Sequence, residues 1–458
     1  MRLSAELHQS ARSLIEKRLG LHFPETRHGD FERGILAGCR SASIGAPEEY
    51  LAWLAVLPDD SQEWRRLAGH LTVGETYFFR DHACFEALER EILPALIAAR
   101  RSQGNPRLRL WSAACATGEE PYSLAIMLDR LLPDRSDWVL TILATDINHE
   151  ALGTAQRGLY REWSFREASL KFRDRYFARR AGGLSELDPA IRKMVTFAPL
   201  NLAGGVYPSP LTNTSAMDVI LCRNVLMYFT SEIQKATATR LVQALVPGGW
   251  LAVSPAEASA ELFHPLARAS CSGAIFQRAD AVAAVTALPN WHVEMDLASP
   301  TPPSASAEIE PVPLTVAPEQ RTEAAPEAVA SLQLARSLAD QGNLDGARGL
   351  CEAVLARERL DPEAHLLLAT ICQELGDIPG ALEALRRTIY LAPDSPLAHF
   401  LSGTLRFRQG DERGGRRAMT TAVHLLGQLA RDEVVPGADG VTAGRLLETA
   451  CLHLEPQR

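Results

Sequence analysis

A stretch of sixteen residues limits the possible folds of this chain more than any other. Residues 107–122 read RLRLWSAACATGEEPY. The alternation at Leu108 and Leu110 predicts a short buried strand, which breaks into a run of small residues. Thr117 and Glu120 have the spacing of a capping box, which predicts that a helix follows directly. A strand, a tight turn and a helix start predict a nucleotide-binding corner of a doubly wound parallel sheet.

Two adjacent carboxylates, Glu119 and Glu120, stand at the start of the predicted helix. A helix N-terminus that binds phosphate attracts anions, so acids at this place are unfavourable for such a ligand. The corner therefore favours a cationic, phosphate-free ligand over a pyrophosphate.

Strand-like and helical segments alternate from residue 71 to residue 277, which indicates an α/β domain whose parallel sheet is covered on both faces. The predicted strands cover residues 108–112, 139–145, 195–198, 218–222 and 250–254. The predicted helices cover residues 119–132, 148–157 and 231–245. Glycine and proline interrupt the pattern at 179–193, where we expect a small β-hairpin insertion.

At 458 residues, the chain is long enough for two or three domains. Helical periodicity predicts an N-terminal helical domain at 1–75, before an α/β domain at 76–280 with a small β-subdomain at about 178–198. The Pro- and Ala-rich residues 281–327 predict a semi-extended linker. Helical repeats are predicted at 328–425, and a capping helix or tail at 426–458.

The C-terminal region repeats with a period of 34 residues. Gly342, Gly376 and Gly410 have this spacing, and so do two series of small residues: Ala335, Ala369 and Gly403, and Ala347, Ala381 and Gly415. Small residues at these places allow paired helices to pack closely, and the pattern resembles tetratricopeptide repeats. The pairs Asp361-Pro362 and Ala392-Pro393 are expected to end helices.

The composition and charge of the chain argue against several classes of protein. A net charge of −9 argues against a general nucleic-acid binder. The eight cysteines include no C-x-x-C pair, so we expect no metal site and a reducing compartment. The charged amphipathic N-terminus does not read as a signal peptide, and no apolar run reaches the roughly 18 residues of a membrane span. These features predict a cytoplasmic protein without direct membrane insertion.

Several polar residues follow predicted strands, where ligands of open α/β sheets bind. Asp146, in ATDIN, either hydrogen-bonds ribose hydroxyls or caps the next helix. The pairs Arg223-Asn224 and Asn201-Leu202 either line the same crevice or form ordinary turns. Arg80, in LTVGETYFFR, is a cation beside a presumed cationic ligand, and holding an anionic acceptor is the role that suits it.

The motifs ETYFFR, WSAACATGEEPYSLA, ATDIN, LNL, CRNVLMYF and LVPGGWLAV occur in this order. Together they resemble the chemotaxis receptor glutamate methyltransferases, the CheR family, over residues 10–278. The resemblance implies a Rossmann-like class I methyltransferase that uses S-adenosylmethionine, releases S-adenosylhomocysteine and needs no metal. Its expected substrate is the glutamate side chain of chemoreceptors, whose methyl esters serve chemosensory adaptation. The repeats resemble the tail of some members and imply an additional protein partner.

The resemblance also implies roles for single residues. Arg80 and Tyr228 would act at the methyl-transfer site, where Tyr228 faces the methyl group and the incoming glutamate. Glu119 would hold the methionine amino group, Asp146 would hold the ribose hydroxyls, and Glu120 would cap its own helix. The further cofactor-binding positions are Gly74, Thr76, Asn201, Leu202, Arg223 and Asn224, with Gly74 standing where the family usually has Asn.

The sequence features expected to bind a receptor are weaker than the cofactor motifs. Arg27, Arg33 and Arg40 form a thinner basic set than the N-terminal helices of the family usually carry. The 179–193 insertion resembles the subdomain that grips a receptor tail peptide, but it is shorter, which favours binding without a tether. The segment SPAE at 254–257 replaces the more usual GHSE.

The chemistry agrees with these residues, because a glutamate with a pKa of about 4.3 is already ionised at neutral pH. Such a carboxylate attacks a sulfonium methyl group without a general base, so catalysis consists of positioning and desolvation. Two alternatives stay open. One is a methyltransferase that acts on another substrate, and the other is a scaffold that works mainly through its repeats.

Overall fold

A computed structural model describes residues 3–58, 61–168, 170–204, 207–209, 212–279, 324–340, 342–438 and 441–454. Most of the predicted linker, residues 281–323, lies outside these ranges. Its last four residues were predicted wrongly, because a helix already begins at Ala324. None of the helices in the described ranges is long and apolar enough to cross a lipid bilayer.

Four helices form the N-terminal region: α1 Ala5–Leu19, α2 His28–Ser41, α3 Pro47–Val56 and α4 Gln62–Leu71. Serine hydroxyls start two of them, since Ser4 Oγ accepts a hydrogen bond from Leu7 N at 3.3 Å and Ser61 Oγ accepts one from Trp64 N at 3.3 Å. Two further helices follow before the sheet: α5 His82–Ala87 and α6 Leu93–Ser102.

The central sheet has seven strands in the order β6-β2-β1-β7-β8-β10-β9. Their bounds are β1 Arg107–Ala113, β2 Val139–Asp146, β6 Val195–Pro199, β7 Met217–Leu221, β8 Leu245–Ala252, β9 Ala267–Cys271 and β10 Ala274–Arg278. The first five are parallel, as predicted, and overlap the five predicted strands. The antiparallel edge formed by β9 and β10 was not predicted.

Helices connect the parallel strands: α7 Glu119–Leu131, α8 His149–Arg157, α9 Leu170–Tyr176, α10 Pro189–Arg192 and α11 Ser231–Gln243. All seven residues of β1 are buried, as expected for a central strand with both faces covered. The α/β class and its three predicted helices are therefore confirmed.

A second, antiparallel sheet has the order β3-β5-β4, with β3 Leu159–Tyr160, β4 Phe177–Arg180 and β5 Leu184–Leu187. Strands β4 and β5 form the hairpin expected within 179–193. The range of 178–198 was wrong at both ends. Strand β3 joins the small sheet from earlier in the chain, while Val195–Pro199 pairs with β2 in the main sheet.

The C-terminal region is a series of helices: α12 Ala324–Asp340, α13 Leu344–Arg357, α14 Pro362–Glu374, α15 Ile378–Leu391, α16 Pro396–Arg408, α17 Glu412–Leu426 and α18 Ala443–Leu454. The three periodic glycines end the first helix of each pair, with φ of +79°, +78° and +80° at Gly342, Gly376 and Gly410. This left-handed conformation explains why glycine recurs every 34 residues.

Of the two pairs expected to end helices, Ala392-Pro393 does so, since α15 ends at Leu391, but Asp361-Pro362 does not. Asp361 instead caps α14, where its Oδ1 accepts hydrogen bonds from Glu363 N at 2.8 Å and Ala364 N at 3.1 Å. Pro362 is the first residue of that helix, where a missing N–H costs nothing.

The repeats pack against the amino ends of β1 and β2. Arg109 forms an ion pair with Glu374, and their side chains are only 3% and 6% exposed. Arg107 Nη1 donates to the backbone oxygen of Glu374 at 2.8 Å. Gly376 approaches Val139 so closely that a Cβ would lie 2.7 Å from a valine methyl carbon. The repeats thus contact the end of the sheet opposite to the carboxyl ends of its strands.

Candidate active site

A cavity lies at the carboxyl ends of β1, β2 and β7, where small turns follow each strand. Apolar residues from the N-terminal region form one side of it: Leu19, Leu21, Phe23 and Leu71. Nine of the ten predicted site positions line this cavity: Gly74, Thr76, Arg80, Asp146, Asn201, Leu202, Arg223, Asn224 and Tyr228. The tenth, Glu119, lies outside its lining. The nine positions belong to four separate segments of sequence, which therefore meet at one place.

Strained backbone surrounds the cavity. Phe79, Asp81, Ala114, Ala116 and Asn224 all have φ between +47° and +69°, in the left-handed region that side chains other than glycine avoid. Such strain persists only where the surrounding contacts hold it, and it concentrates at functional sites. The loops after β1 and β7 are thus held in particular conformations.

Asp146 ends β2 and ties two of these loops together. Its Oδ2 accepts a hydrogen bond from Ala116 N at 2.8 Å, and its Oδ1 accepts one from Asn148 N at 2.7 Å. Burial raises the pKa of Asp146, and these backbone N–H groups partly offset that effect. Because a carboxylate has about four acceptor sites, it keeps capacity for ligand hydroxyls.

The turn before α7 differs from the predicted capping box. Gly118, with φ of +93°, immediately precedes the helix, and no side chain caps it. Thr117 Oγ1 instead donates to Glu119 Oε2 at 2.6 Å, and Ser164 Oγ donates to Glu119 Oε1 at 2.8 Å. The Glu119 side chain is buried between these hydroxyls, and burial raises its pKa. Glu120, rather than Glu119, lines the cavity.

Glu120 belongs to a polar network and does not cap its helix. Its Oε1 accepts from Ser112 Oγ at 2.7 Å, and its Oε2 lies 3.4 Å from Arg223 Nη1. Arg223 also donates to Asp81 Oδ2 at 2.7 Å and to the backbone oxygen of Arg80 at 2.9 Å. The buried guanidinium of Arg223 therefore fixes the loop that carries Arg80 against the start of α7.

The aromatic residues before Arg80 pack as a core. Phe78 is fully buried, and its ring stacks on Phe165 with centroids 5.2 Å apart. Phe79 N donates to Ser123 Oγ at 3.0 Å. Arg80 is half-buried on the cavity side, where its Nη1 donates to the backbone oxygen of Glu75 at 2.5 Å. The packed rings thus place the Arg80 guanidinium at the cavity.

Tyr228 lies where the N-terminal region meets the cavity. Its backbone oxygen accepts from His22 N at 2.7 Å. The Arg27 guanidinium lies 5.1 Å from the centroid of the Tyr228 ring and 5.5 Å from that of Phe23, within the range of a cation–π interaction. Arg33, another member of the expected basic set, pairs with Asp30.

Asn201 and Leu202 form the wall beyond β6. Asn201 Oδ1 accepts from Ala203 N at 3.0 Å, and its Nδ2 donates to the backbone oxygen of Arg18 at 3.4 Å. Leu202 is buried. These contacts bring the loop after β6 against α1, so the N-terminal region closes this side of the cavity.

Sequence reasoning missed Glu257, the last residue of SPAE. Its carboxylate is 7% exposed and accepts hydrogen bonds from Asn224 N at 2.8 Å and Val225 N at 2.7 Å. Met227 N donates to it at 3.3 Å, and Ser254 donates through both its backbone N and its hydroxyl. An acid close after a predicted β-strand was the available signal, but the sequence reveals neither its burial nor its partners some thirty residues away.

Comparisons with known proteins match both parts of the chain. Residues 74–269 match the family described as CheR methyltransferase, SAM binding domain, and residues 332–396 match the family described as Tetratricopeptide repeat. Chemotaxis protein methyltransferase 1 of Pseudomonas aeruginosa is 37% identical over 213 residues, which are 46% of this chain and 75% of that protein.

Two other relatives extend the match. A probable chemotaxis protein methyltransferase of Rhizobium etli is 31% identical over 53% of this chain and 89% of its own length. The probable biofilm formation methyltransferase WspC of Pseudomonas aeruginosa is 30% identical over 400 residues, covering 83% of this chain and 90% of that protein.

Proposed function

The chain belongs to the CheR methyltransferase family, and on that premise we propose that it methylates glutamate side chains of chemoreceptors. The methyl donor is S-adenosylmethionine, and the products are S-adenosylhomocysteine and a glutamate methyl ester. The observation that carries this proposal is the convergence of nine predicted positions on one cavity.

The residues of the cavity suit this cofactor. Asp146 offers a carboxylate with free acceptor capacity to the ribose hydroxyls, and the apolar side formed with Leu202 suits the adenine ring. Glu120, which lines the cavity where Glu119 does not, would take the role first assigned to Glu119 and hold the ammonium group of the methionine part. Bound here, the cofactor supplies an electrophilic methyl group.

The protein side chains position the acceptor. An ionised glutamate needs no general base, so no proton has to be removed before attack. Arg80 holds the acceptor carboxylate through charge-assisted hydrogen bonds, and Tyr228 forms the facing wall. Residues of the N-terminal region cover one side of the cavity and limit the access of water there, which strengthens these interactions. Catalysis then depends on placing the carboxylate in line with the methyl group.

We place the enzyme in the cytoplasm, on the cytoplasmic helical bundle of its receptor. The tetratricopeptide region binds an additional protein partner. The alignment with WspC extends over most of this chain and reaches into the repeats. This supports a role in a chemosensory system that controls a process such as biofilm formation. No nucleic acid takes part.

Incubation with labelled S-adenosylmethionine and receptor cytoplasmic fragments tests this function. We expect base-labile label on receptor glutamates. Label on another protein or on a small molecule would instead support a methyltransferase with a different substrate. Failure of the protein to bind S-adenosylhomocysteine would support a scaffold that works through its repeats.

A further inference from the structure

Glu257 lies behind the wall of the cavity, on the segment after β8. We propose that Glu257 is a positioning residue for cofactor binding: its carboxylate holds the loop 224–228 in the conformation that the cavity requires. This inference rests on the proposed use of an S-adenosyl cofactor.

The hydrogen bonds of Glu257 are concentrated on this loop. Oε2 accepts from Asn224 N at 2.8 Å, while Oε1 accepts from Val225 N at 2.7 Å and Met227 N at 3.3 Å. Three backbone N–H groups of one short loop therefore point at one carboxylate. The loop is too irregular to satisfy these donors through helix or sheet hydrogen bonds, and unsatisfied buried donors are costly.

The loop also needs support because of its backbone conformation. Asn224 has φ of +58°, which is unfavourable for a residue with a Cβ atom. Asn224, Val225 and Tyr228 line the cavity, so a change in this turn would move its wall. Glu257 itself is not part of the lining and acts through the residues that are.

A second set of contacts fixes Glu257 in turn. Ser254 Oγ donates to Oε2 at 2.5 Å, and Ser254 N donates to the same atom at 3.2 Å. Because Ser254 lies two residues beyond the carboxyl end of β8, the carboxylate is held close to the main sheet. Loop 224–228 is thus tied to the turn that follows β8.

Glu257→Gln tests this role, because the amide has the same shape but replaces one accepting oxygen with an NH₂ donor. That donor would face N–H groups, so part of the hydrogen bonding is lost and the turn is released. We expect the affinity for S-adenosylhomocysteine, measured by calorimetry on the full chain, to fall at least about tenfold. Hydrogen exchange of the peptide 222–229, measured without ligand, should become faster.

Glu63→Gln is the matched control. Glu63 is 5% exposed and accepts from Tyr50 Oη at 2.9 Å, on α4 and outside the cavity lining. We expect this variant to lower thermal stability while leaving ligand affinity within about twofold and exchange of 222–229 unchanged. If Glu257→Gln does not fold, Ser254→Ala, which removes one hydroxyl donor, should show a smaller change in the same direction.

Three outcomes would overturn the proposal. The first is unchanged ligand affinity and hydrogen exchange in Glu257→Gln, and the second is an equal loss of ligand affinity in Glu63→Gln. The third, where Ser254→Ala is needed, is unchanged affinity and exchange in that variant. These outcomes presuppose that the parent protein binds S-adenosylhomocysteine. Absence of binding by the parent would instead count against the proposed function, so the two failures are distinguishable.

Discussion

The contact between the repeats and the catalytic domain leads to a measurable stability prediction. The Arg109–Glu374 ion pair joins β1 to α14, and both side chains are at least 94% buried. Glu374→Gln removes the charge but keeps the backbone oxygen to which Arg107 donates at 2.8 Å. Removing one partner of a buried pair typically costs about 3–5 kcal/mol, because the other charge is left buried without compensation.

The structure places the expected cost near the lower end of that range. Arg109 keeps further acceptors, since its Nη2 donates to Asn213 Oδ1 at 2.7 Å and its Nε donates to the backbone oxygen of Ser215 at 3.2 Å. We therefore expect Glu374→Gln to lower the free energy of unfolding by about 3 kcal/mol. In a double-mutant cycle with Arg109→Gln, the coupling should be about 2 kcal/mol.

Urea unfolding followed by circular dichroism supplies the four free energies of this cycle, and small-angle scattering shows whether the repeats separate from the catalytic domain. Arg348 and Glu352 offer a control pair on α13, with side chains 41% and 53% exposed. Because solvent screens this pair, its coupling should stay below about 0.5 kcal/mol. Additive effects of Arg109→Gln and Glu374→Gln, with unchanged scattering, would refute the reasoning.

Three further predictions concern the site and its surroundings. Arg80→Ala should lower methyl transfer to receptor fragments by roughly 100-fold with an unchanged circular dichroism spectrum, because the acceptor carboxylate loses its cation; near-normal transfer of labelled methyl would contradict this role. Asp146→Ala should weaken S-adenosylhomocysteine binding at least about tenfold in calorimetry, since the ribose hydroxyls lose a charged acceptor, and unchanged affinity would remove Asp146 from the cofactor site. Burial, with Arg65 and Arg445, lowers the pKa of His149 to about 4; because the unfolded state then binds more protons between pH 6.5 and 4, stability should fall as the pH drops through this window. Over the same pH range, the free energy of unfolding from urea titrations should fall less for His149→Gln than for the parent. Parallel curves of this free energy against pH would show that His149 is not the cause.

The elements that sequence predicts best are those whose pattern is local. The alternation at Leu108 and Leu110 is enough to identify β1. The periodic glycines identify the helix pairs, because a residue with left-handed φ at the end of an α-helix is usually glycine. The small antiparallel sheet was harder to predict from the sequence, since its strand β3 has two residues and pairs with β5 about 25 residues later in the chain. Such a pairing leaves little periodic signal.

The start of α7 shows how a local capping rule fails beside the cavity. Thr117 and Glu120 have the spacing of a capping box, yet Gly118 adopts a φ of +93° and the helix begins at Glu119. The Thr117 hydroxyl then binds Glu119, while Glu120 turns toward the buried guanidinium of Arg223. The capping signal describes an isolated helix, whereas here contacts from distant segments determine which acid lines the cavity.

The sequence by itself determined the α/β class and the repeat period, because these follow from hydrophobic periodicity and from recurring small residues. Its resemblance to the CheR family also predicted nine positions that line the cavity. Only the tertiary structure decided which of two adjacent acids faces the cavity, that Glu257 supports loop 224–228, and that Glu374 meets Arg109. Each of these is a contact between segments far apart in the chain. Local sequence carries no record of such partners, since they are selected by how the strands, loops and repeats pack together.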